Sequence, residues 1–261
     1  MGRTLRIYRA FWASSLSRDR EYRANFIAQL IQSAIWVVFS YLIVEIVFAN
    51  AQQVAGWNRG QMLAVVGVSM LTGALVYTFM PALQELPEQV RRGTLDFVVT
   101  KPVDAQFWVS FRRFNLAECG SVFAALVLTG YGVAQSGGPL DPVRIFAGFV
   151  LALIAAGLYY CLMMMTMTLA IYFVRVENLW VLAHTGLETT RFPVEIYKPA
   201  IQRVLLFIVP LAFLATVPVG VALRGWDMMF VVYGLGFLAL GLALTRWFWR
   251  FSLTRYTSAS S

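Results

Sequence analysis

Long apolar runs separated by short polar segments dominate the pattern along the chain. The clearest runs lie at 25–48, 61–81, 108–134, 143–174 and 228–249. A bilayer core about 30 Å thick is crossed by roughly 20 apolar residues in a helix, so each run predicts a transmembrane helix. The stretch 178–223 is apolar overall, but it contains several charged residues and four prolines. Because proline interrupts a helix, this stretch does not predict one uninterrupted span.

The composition supports a membrane protein. Of the 261 residues, 59% are apolar and 13% are charged, which is about half the charged share of a soluble domain. One hydrophobic core in water could not bury so much apolar surface. The chain is therefore expected to be an all-α membrane protein, and not a soluble enzyme, a disordered chain or a disulfide-rich domain.

The positive charges are distributed unevenly between the two sides of the predicted membrane. Lysine and arginine concentrate before the first run, in the loop 84–107 and after the last run, whereas the opposite loops carry Arg59, Arg144 and Arg224. Since cytoplasmic loops carry the excess of such residues, both chain ends are expected in the cytoplasm, and six spans fit. The net charge of +8 then reflects topology and lipid contact, and no nucleic-acid partner is expected.

The N-terminal segment 1–24 predicts a helix lying on the membrane surface. Leu5, Tyr8, Trp12 and Leu16 recur at helical spacing, and arginines lie away from that face. Such an amphipathic pattern is typical of an interfacial helix. A flexible basic leader is the alternative.

The loop 84–107 predicts a short cytoplasmic helix. Pro87 suits its first turn, Arg91 and Arg92 suit its last turn, and Gly93 suits the cap that follows. A helix of this kind is a candidate docking element for a cytosolic partner. A solvated loop is the alternative.

One face of the first predicted span carries polar residues at helical spacing: Asn25, Gln29, Gln32 and Trp36. Amides are costly against lipid, so we expect this face to meet another helix or a watery cavity. Hydrogen bonding between helices, with no contact to a substrate, explains the same pattern.

Four further ionisable residues are predicted at membrane depth, where such groups usually indicate function: Glu45, Glu118, His184 and Glu188. Glu45 lies near the outer end of its span, and its simplest interpretation is a side chain that reaches the membrane surface. Glu118 either pairs with Arg112 or Arg113 or faces a pore. His184 is the only histidine of the chain, and its simplest interpretation is a packed, hydrogen-bonded group. We predict no metal site.

Sequence motifs for catalysis are absent. The chain contains no GxxxxGK[ST], GxSxG or HExxH pattern. We therefore expect no catalytic residue and no cofactor in this chain. If it carries out driven transport, ATP and magnesium must be bound by a separate subunit.

Three stretches resemble the transmembrane subunit of ABC-2 type exporters, and in particular the short six-span permeases described as viologen or drug exporter permeases. They are RRGTLDFVVTKPV at 91–103, FVRVENLW at 173–180 and the proline-punctuated stretch at 191–223. With the order of the spans, the likeness covers nearly the whole chain. It implies six transmembrane helices, a short fifth span at 178–194 and a re-entrant helical hairpin at 195–223 on the outer side. The charge distribution alone favours a cytoplasmic segment as far as Arg203 and a span at 205–223.

The resemblance also implies partners and roles. Two permeases, the second identical or related, would assemble with two cytosolic P-loop ATPase subunits in the bacterial cytoplasmic membrane. Residues 1–24 would form the connecting helix, and the path would run along the first, second and fifth spans. The coupling residues would be Leu86, Glu88, Gln89, Arg91, Arg92 and Gly93. The path residues would be Asn25, Gln29, Gln32, Trp36, Glu118, His184 and Glu188. The alternative is a secondary transporter or channel that ATP does not drive.

Overall fold

The computed structural model describes residues 23–173 and 179–256, and within these ranges the chain is helical with no strand. The prediction of an all-α membrane protein is confirmed. The predicted interfacial helix at 1–24 lies outside the described residues, except for its last two residues, with which the first described helix begins.

The first half of the chain contains six helices among the described residues. They are α1 (Arg23–Phe48), α2 (Arg59–Phe79), α3 (Leu86–Arg91), α4 (Asp96–Val99), α5 (Ala105–Phe111) and α6 (Cys119–Ala134). A 3-10 turn, Pro81–Glu85, leads directly from the end of α2 into α3.

The second half begins with a long helix and continues with shorter pieces. Its helices are α7 (Pro142–Thr168), α8 (Leu179–Glu188), α9 (Pro199–Arg203), α10 (Thr216–Leu223) and α11 (Met229–Leu253). The 3-10 turns Thr189–Arg191 and Val194–Ile196 follow α8, and a π turn, Val204–Ile208, continues α9. Of the described helices, α1, α2, α7 and α11 are long and apolar enough to cross a bilayer.

Helix α2 is largely buried at the centre of the bundle. It starts at a capping box, in which the Asn58 side chain accepts from the Gln61 N–H at 2.9 Å and Gln61 Oε1 accepts from the Asn58 N–H at 3.2 Å. Helix α2 packs most closely on α6. At Gly132 a Cβ atom would overlap the α2 backbone, so this glycine permits the close approach. By contrast, α1 and α11 are mostly exposed, as expected for helices that meet lipid or another subunit.

The third predicted span, 108–134, is divided in the structure. Residues 112–118 are not helical, and α6 begins only at Cys119. The interruption has a physical cause, because the Asn115 N–H donates to the Thr78 carbonyl at 2.9 Å instead of continuing a helical ladder. A hydropathy pattern alone does not reveal this break.

The stretch 195–223 lies at one end of the bundle. Helices α9 and α10 have 5 and 8 residues, too short to cross a bilayer core. Glu195, at the start of the stretch, pairs with Arg224, just beyond it, at 3.3 Å. The Arg224 guanidinium lies 4.5 Å from the ring centroid of Trp57 in the loop between α1 and α2. The stretch therefore enters and leaves at the same end, which we call the hairpin end. We call the opposite end, with α3 to α5, the basic end.

The predicted fifth span, 178–194, is shorter than a full crossing helix. Helix α8 has 10 residues, and after a single 3-10 turn the chain extends at Phe192 before Pro193. Residue 178 itself is outside the described part of the chain. The backbone of residues preceding proline is restricted to extended conformations, which explains why the helix stops here.

Candidate translocation cavity and docking helix

A cavity of about 440 Å³ lies between α1, α2 and α8, toward the basic end. We call it the inner cavity. The predicted path residues that line it are Gln29, Gln32, Trp36, Glu118, His184 and Glu188. Asn25 lies on α1, but its side chain is outside the described part of the structure. The sequence-predicted residues, spread over 160 positions of the chain, therefore meet around one space.

Two hydrogen bonds join α1 to the start of α6 at this cavity. Gln29 Nε2 donates to Glu118 Oε2 at 2.6 Å, and the Ser33 and Ser121 hydroxyls are 2.6 Å apart. Gln32 is exposed toward the cavity. The polar face of α1 thus combines the two roles left open by the sequence, since Gln29 bonds to another helix while both amides line the cavity.

Glu118 faces the cavity and is not paired with the neighbouring arginines. Arg112 and Arg113 each bond to a different carboxylate oxygen of Glu85. Burial lowers the pKa of the Arg112 guanidinium, and the nearby Glu85 carboxylate opposes that change. Glu118 therefore lines the cavity without pairing with Arg112 or Arg113, and its role in a pore stays a prediction.

His184 belongs to a network of aromatic side chains on one wall of the inner cavity. Its Nδ1 lies 3.0 Å from the Tyr77 hydroxyl, which lies 2.7 Å from the Tyr159 hydroxyl. Its ring stacks on Trp180 at 4.7 Å, and its Nε2 is 3.3 Å from Glu188 Oε1. Both ring nitrogens therefore have protein partners. No group of three metal-ligating residues was found in residues 23–173 and 179–256.

Arg191 lines the inner cavity at its side toward the hairpin end. It donates to Glu188 at 2.7 Å, and its guanidinium lies 5.7 Å from the ring centroid of Trp36. A cation over a tryptophan face is attracted by the ring, so Arg191 ties α1 to the turn after α8. The sequence analysis missed this residue as a site residue. Its position three residues after Glu188 on a helix was the available signal.

A second cavity, of about 720 Å³, adjoins the first toward the hairpin end. We call it the outer cavity. Trp36, Glu188 and Arg191 line both cavities. The other lining residues are mainly apolar, with Phe39 and Ile43 from α1, Val66 from α2 and Phe192 and Ile196 from beyond α8.

The short helix expected in the loop 84–107 is present as α3 at the basic end. Pro87 occupies its first turn, and Gly93, just beyond it, has φ +68°, a conformation that favours glycine. Glu88 accepts from both Arg91, at 2.7 Å, and Arg92. The hydrogen bond from Arg91 is the main reason that the pKa of Glu88 is lowered.

The predicted coupling residues divide between two directions. Arg91 and Arg92 are exposed, and Glu88 is half-buried beside them. Leu86 is fully buried and Gln89 is 8% exposed, so these two face the transmembrane body. Phe97 on α4 is 70% exposed at the same end of the bundle and was not predicted. A large apolar residue within a basic loop is the signal that would have indicated it.

A separate ion pair connects this region to α11. Asp104 caps α5 by accepting from the Phe107 N–H at 2.9 Å and also pairs with Arg246. Burial acts to raise the pKa of Asp104, but the hydrogen bonds from Arg246 and from Phe107 outweigh burial and hold the pKa below its ordinary value. Gln106 donates to the Tyr160 hydroxyl at 3.2 Å, which extends the contact to α7.

Apolar helices around two adjoining cavities, with a short charged helix at one end, are typical of a multi-pass membrane transport protein. The family described as ABC-2 family transporter protein matches residues 34–260, so the chain belongs to this family. The resemblance to ABC-2 permeases is thereby confirmed, whereas the narrower likeness to viologen or drug exporters stays a prediction. Membrane proteins of this family form the permease component of ABC transporters and generally work with ATPase partners. No curated protein and no solved structure matches the chain.

Proposed function

We propose that this chain is the permease subunit of an ATP-driven exporter, whose substrate enters the inner cavity from the cytoplasm. The observation that carries the proposal is the convergence of Gln29, Gln32, Glu118, His184 and Glu188 on one cavity. That cavity opens between α1, α2 and α8, toward the end of the bundle that also presents α3. A substrate cavity and a docking helix at one end are what an exporter coupled to a cytosolic ATPase needs.

The orientation in the proposal follows from charge. The basic end carries Arg91, Arg92, Lys101, Arg250 and Arg255, and cytoplasmic surfaces carry such an excess. The proposal therefore places this end, with both chain termini, in the cytoplasm of a bacterial cell and the hairpin end outside the cytoplasmic membrane.

The chemical step belongs to the partner in this proposal. Two cytosolic P-loop ATPase subunits bind ATP and magnesium, and this chain supplies no catalytic group. Arg91 and Arg92 point away from the transmembrane body and suit an acidic groove on the ATPase, because arginine forms planar, bidentate contacts with carboxylates.

Reversing the charge of the docking helix tests the proposal directly. The double variant Arg91→Glu, Arg92→Glu should insert normally but lose co-purification with the ATPase and with it substrate-stimulated ATP hydrolysis. Arg250→Glu, an exposed charge reversal on α11 at the same end, is the matched control and should retain both. Normal ATPase coupling in the double variant would refute the docking role. Transport by the purified chain alone in liposomes would favour a secondary transporter or channel.

A second permease completes the path in this proposal. The π turn after α9 presents Phe207 and Ile208 at the surface, and Ile208 is 73% exposed. Irregular backbone at membrane depth is tolerated where protein or a cavity covers it, which favours a contact with another permease here.

Cross-linking tests that contact. Ile208→Cys, in a background without Cys119 and Cys161, should form a cross-link to the partner permease in native membranes. Ile46→Cys, equally exposed but on α1, is the comparison site. Cross-links from position 208 that stay within one chain would contradict the arrangement.

A further inference from the structure

Glu85 lies between the docking helix and the inner cavity. It is the last residue of the 3-10 turn and immediately precedes α3, so any displacement of α3 moves it directly. One of its carboxylate oxygens bonds to Arg112 and the other to Arg113. A single side chain thereby connects the docking helix to a segment 27 residues further along the chain.

Arg112 is held from the docking helix at a second point. With its amide oxygen facing the guanidinium, Gln89 accepts from Arg112 Nη1 at 3.2 Å. The Arg112 side chain is only 18% exposed. A buried charge is costly without its partner, so separating Arg112 from Glu85 and Gln89 would cost free energy. We therefore expect Arg112 to move with them when α3 moves.

The segment that follows Arg112 leads into the inner cavity. Residues 112–118 lie outside any helix, so they can shift without breaking a helical ladder. Asn115 and Glu118 line the cavity, and Glu118 accepts from Gln29 of α1. Contacts therefore run without interruption from α3, through Glu85 and Arg112, to the polar face of α1.

We propose that Glu85 is the positioning residue that transmits movement of the docking helix to the segment 112–118 and so to Glu118 and Gln29 in the cavity. This inference rests on the proposed function, because it presumes that an ATPase acts on α3. It adds the route by which nucleotide binding alters the substrate site. Coupling between two binding sites is reciprocal, so the same contact must also carry the signal from the cavity to the ATPase.

The test uses the assembled complex with its ATPase and a reporter cysteine in the cavity. Asn115→Cys is introduced with Cys119 and Cys161 replaced by serine, and its rate of maleimide modification is measured before and after trapping the ATPase with vanadate. With Glu85 present, trapping should change the rate at least several-fold. With Glu85→Gln, which keeps the shape but removes the charge, the response should disappear, while basal ATP hydrolysis and co-purification are unchanged.

A matched control separates the loss of the Glu85–Arg112 contact from a general loss of ion pairs. Asp104→Asn removes the charge that pairs with Arg246 at the same end but keeps an α5 cap, and it does not touch residues 112–118. This variant should respond to trapping as the parent does. If Glu85→Gln prevents assembly, Arg113→Gln removes the more exposed partner and should reduce the response by about half.

The outcomes distinguish this inference from the function on which it rests. If the parent complex contains no ATPase, or if trapping does not change its modification rate, both the proposed function and the role of Glu85 are overturned. If the parent complex and the Glu85→Gln complex respond equally to trapping, Glu85 does not transmit the movement. The exporter assignment would then be unaffected.

Discussion

The inner and outer cavities are both lined by α1, α2 and the segment from α8 to Arg191, yet the chemical character of their linings differs. The inner cavity is lined by amides, hydroxyls, carboxylates and His184 together with apolar side chains such as Met70 and Leu187, whereas the outer one is lined mainly by aliphatic and aromatic side chains. Both are bounded by one face of α1, which presents Gln29 and Gln32 in its first half and Phe39 and Ile43 in its second. A single helix face thus changes from polar to apolar at Trp36.

This difference indicates where a substrate would leave water and come into contact with apolar side chains. Polar groups in a roomy cavity hold ordered water, whereas an apolar cavity stays dry. At the border, the Arg191 guanidinium bonds to Glu188 and lies over the Trp36 ring, so the change occurs at a charged contact between α1 and the turn after α8. The border residues, rather than either cavity alone, are therefore expected to decide whether the two spaces communicate.

Removing the carboxylate at the border should have the largest effect. Glu188→Leu leaves Arg191 at membrane depth without its partner, and we expect the free energy of unfolding to fall by about 2 kcal/mol, below the full value for a buried pair because the cavity is partly open. Thermal unfolding in mild detergent measures this change. Glu45→Gln, which breaks the Arg59 pair near the hairpin end, is the control and should cost under about 1 kcal/mol. Equal losses of unfolding free energy in the two variants would mean that the ion pair at the border stabilises the protein no more than the Glu45–Arg59 pair does.

The role of the inner cavity is tested by replacing Gln29 and Gln32 one at a time. Gln32→Leu should lower transport about five-fold, because a cargo or its water loses a hydrogen bond worth about 1 kcal/mol, while the melting temperature stays constant. Gln29→Leu should lower the melting temperature as well, since it removes the bond to Glu118. Transport assays on reconstituted complexes, with the Gln→Asn variants as controls, give the comparison. If Gln29→Leu, Gln32→Leu weakens assembly while the surviving complexes transport normally, the polar face of α1 serves only packing.

The outer cavity should show the smallest effect. Ile43→Thr shortens the side chain and introduces a hydroxyl group, and we expect about four-fold weaker transport of an apolar cargo, from roughly 0.8 kcal/mol per lost methylene contact. Ile46→Thr, which is 71% exposed on α1 and does not line the cavity, should leave transport unchanged. Rates of dye export from proteoliposomes measure the difference. A larger loss in Ile46→Thr would place the apolar path elsewhere.

Much of the site was predictable because the spacing of residues along the sequence shows which of them share one face of a helix. The polar positions of α1 recur every three or four residues, which places them on one face whatever surrounds the helix. The turn at α3 was equally local, since a proline near its start and a glycine after its end limit the helix. Tyr77 was missed because its partners, Tyr159 and His184, are distant in sequence. For Arg191 the pair with Glu188 was readable three residues away, but the contact with Trp36 was not.

Hydropathy, charge and local turn residues were enough to predict that the chain is a membrane protein, where its long helices lie and which residues form the short helix α3. These features depend on the bilayer thickness and on local backbone chemistry, and no distant contact is needed to read them. Tertiary structure alone decided that Glu118 faces the cavity, that the run 108–134 is interrupted and that Glu85 holds both arginines. The reason is that Glu118 is the carboxylate nearest to Arg112 and Arg113 in the sequence, and only the packing of the helices brings Glu85 to them instead.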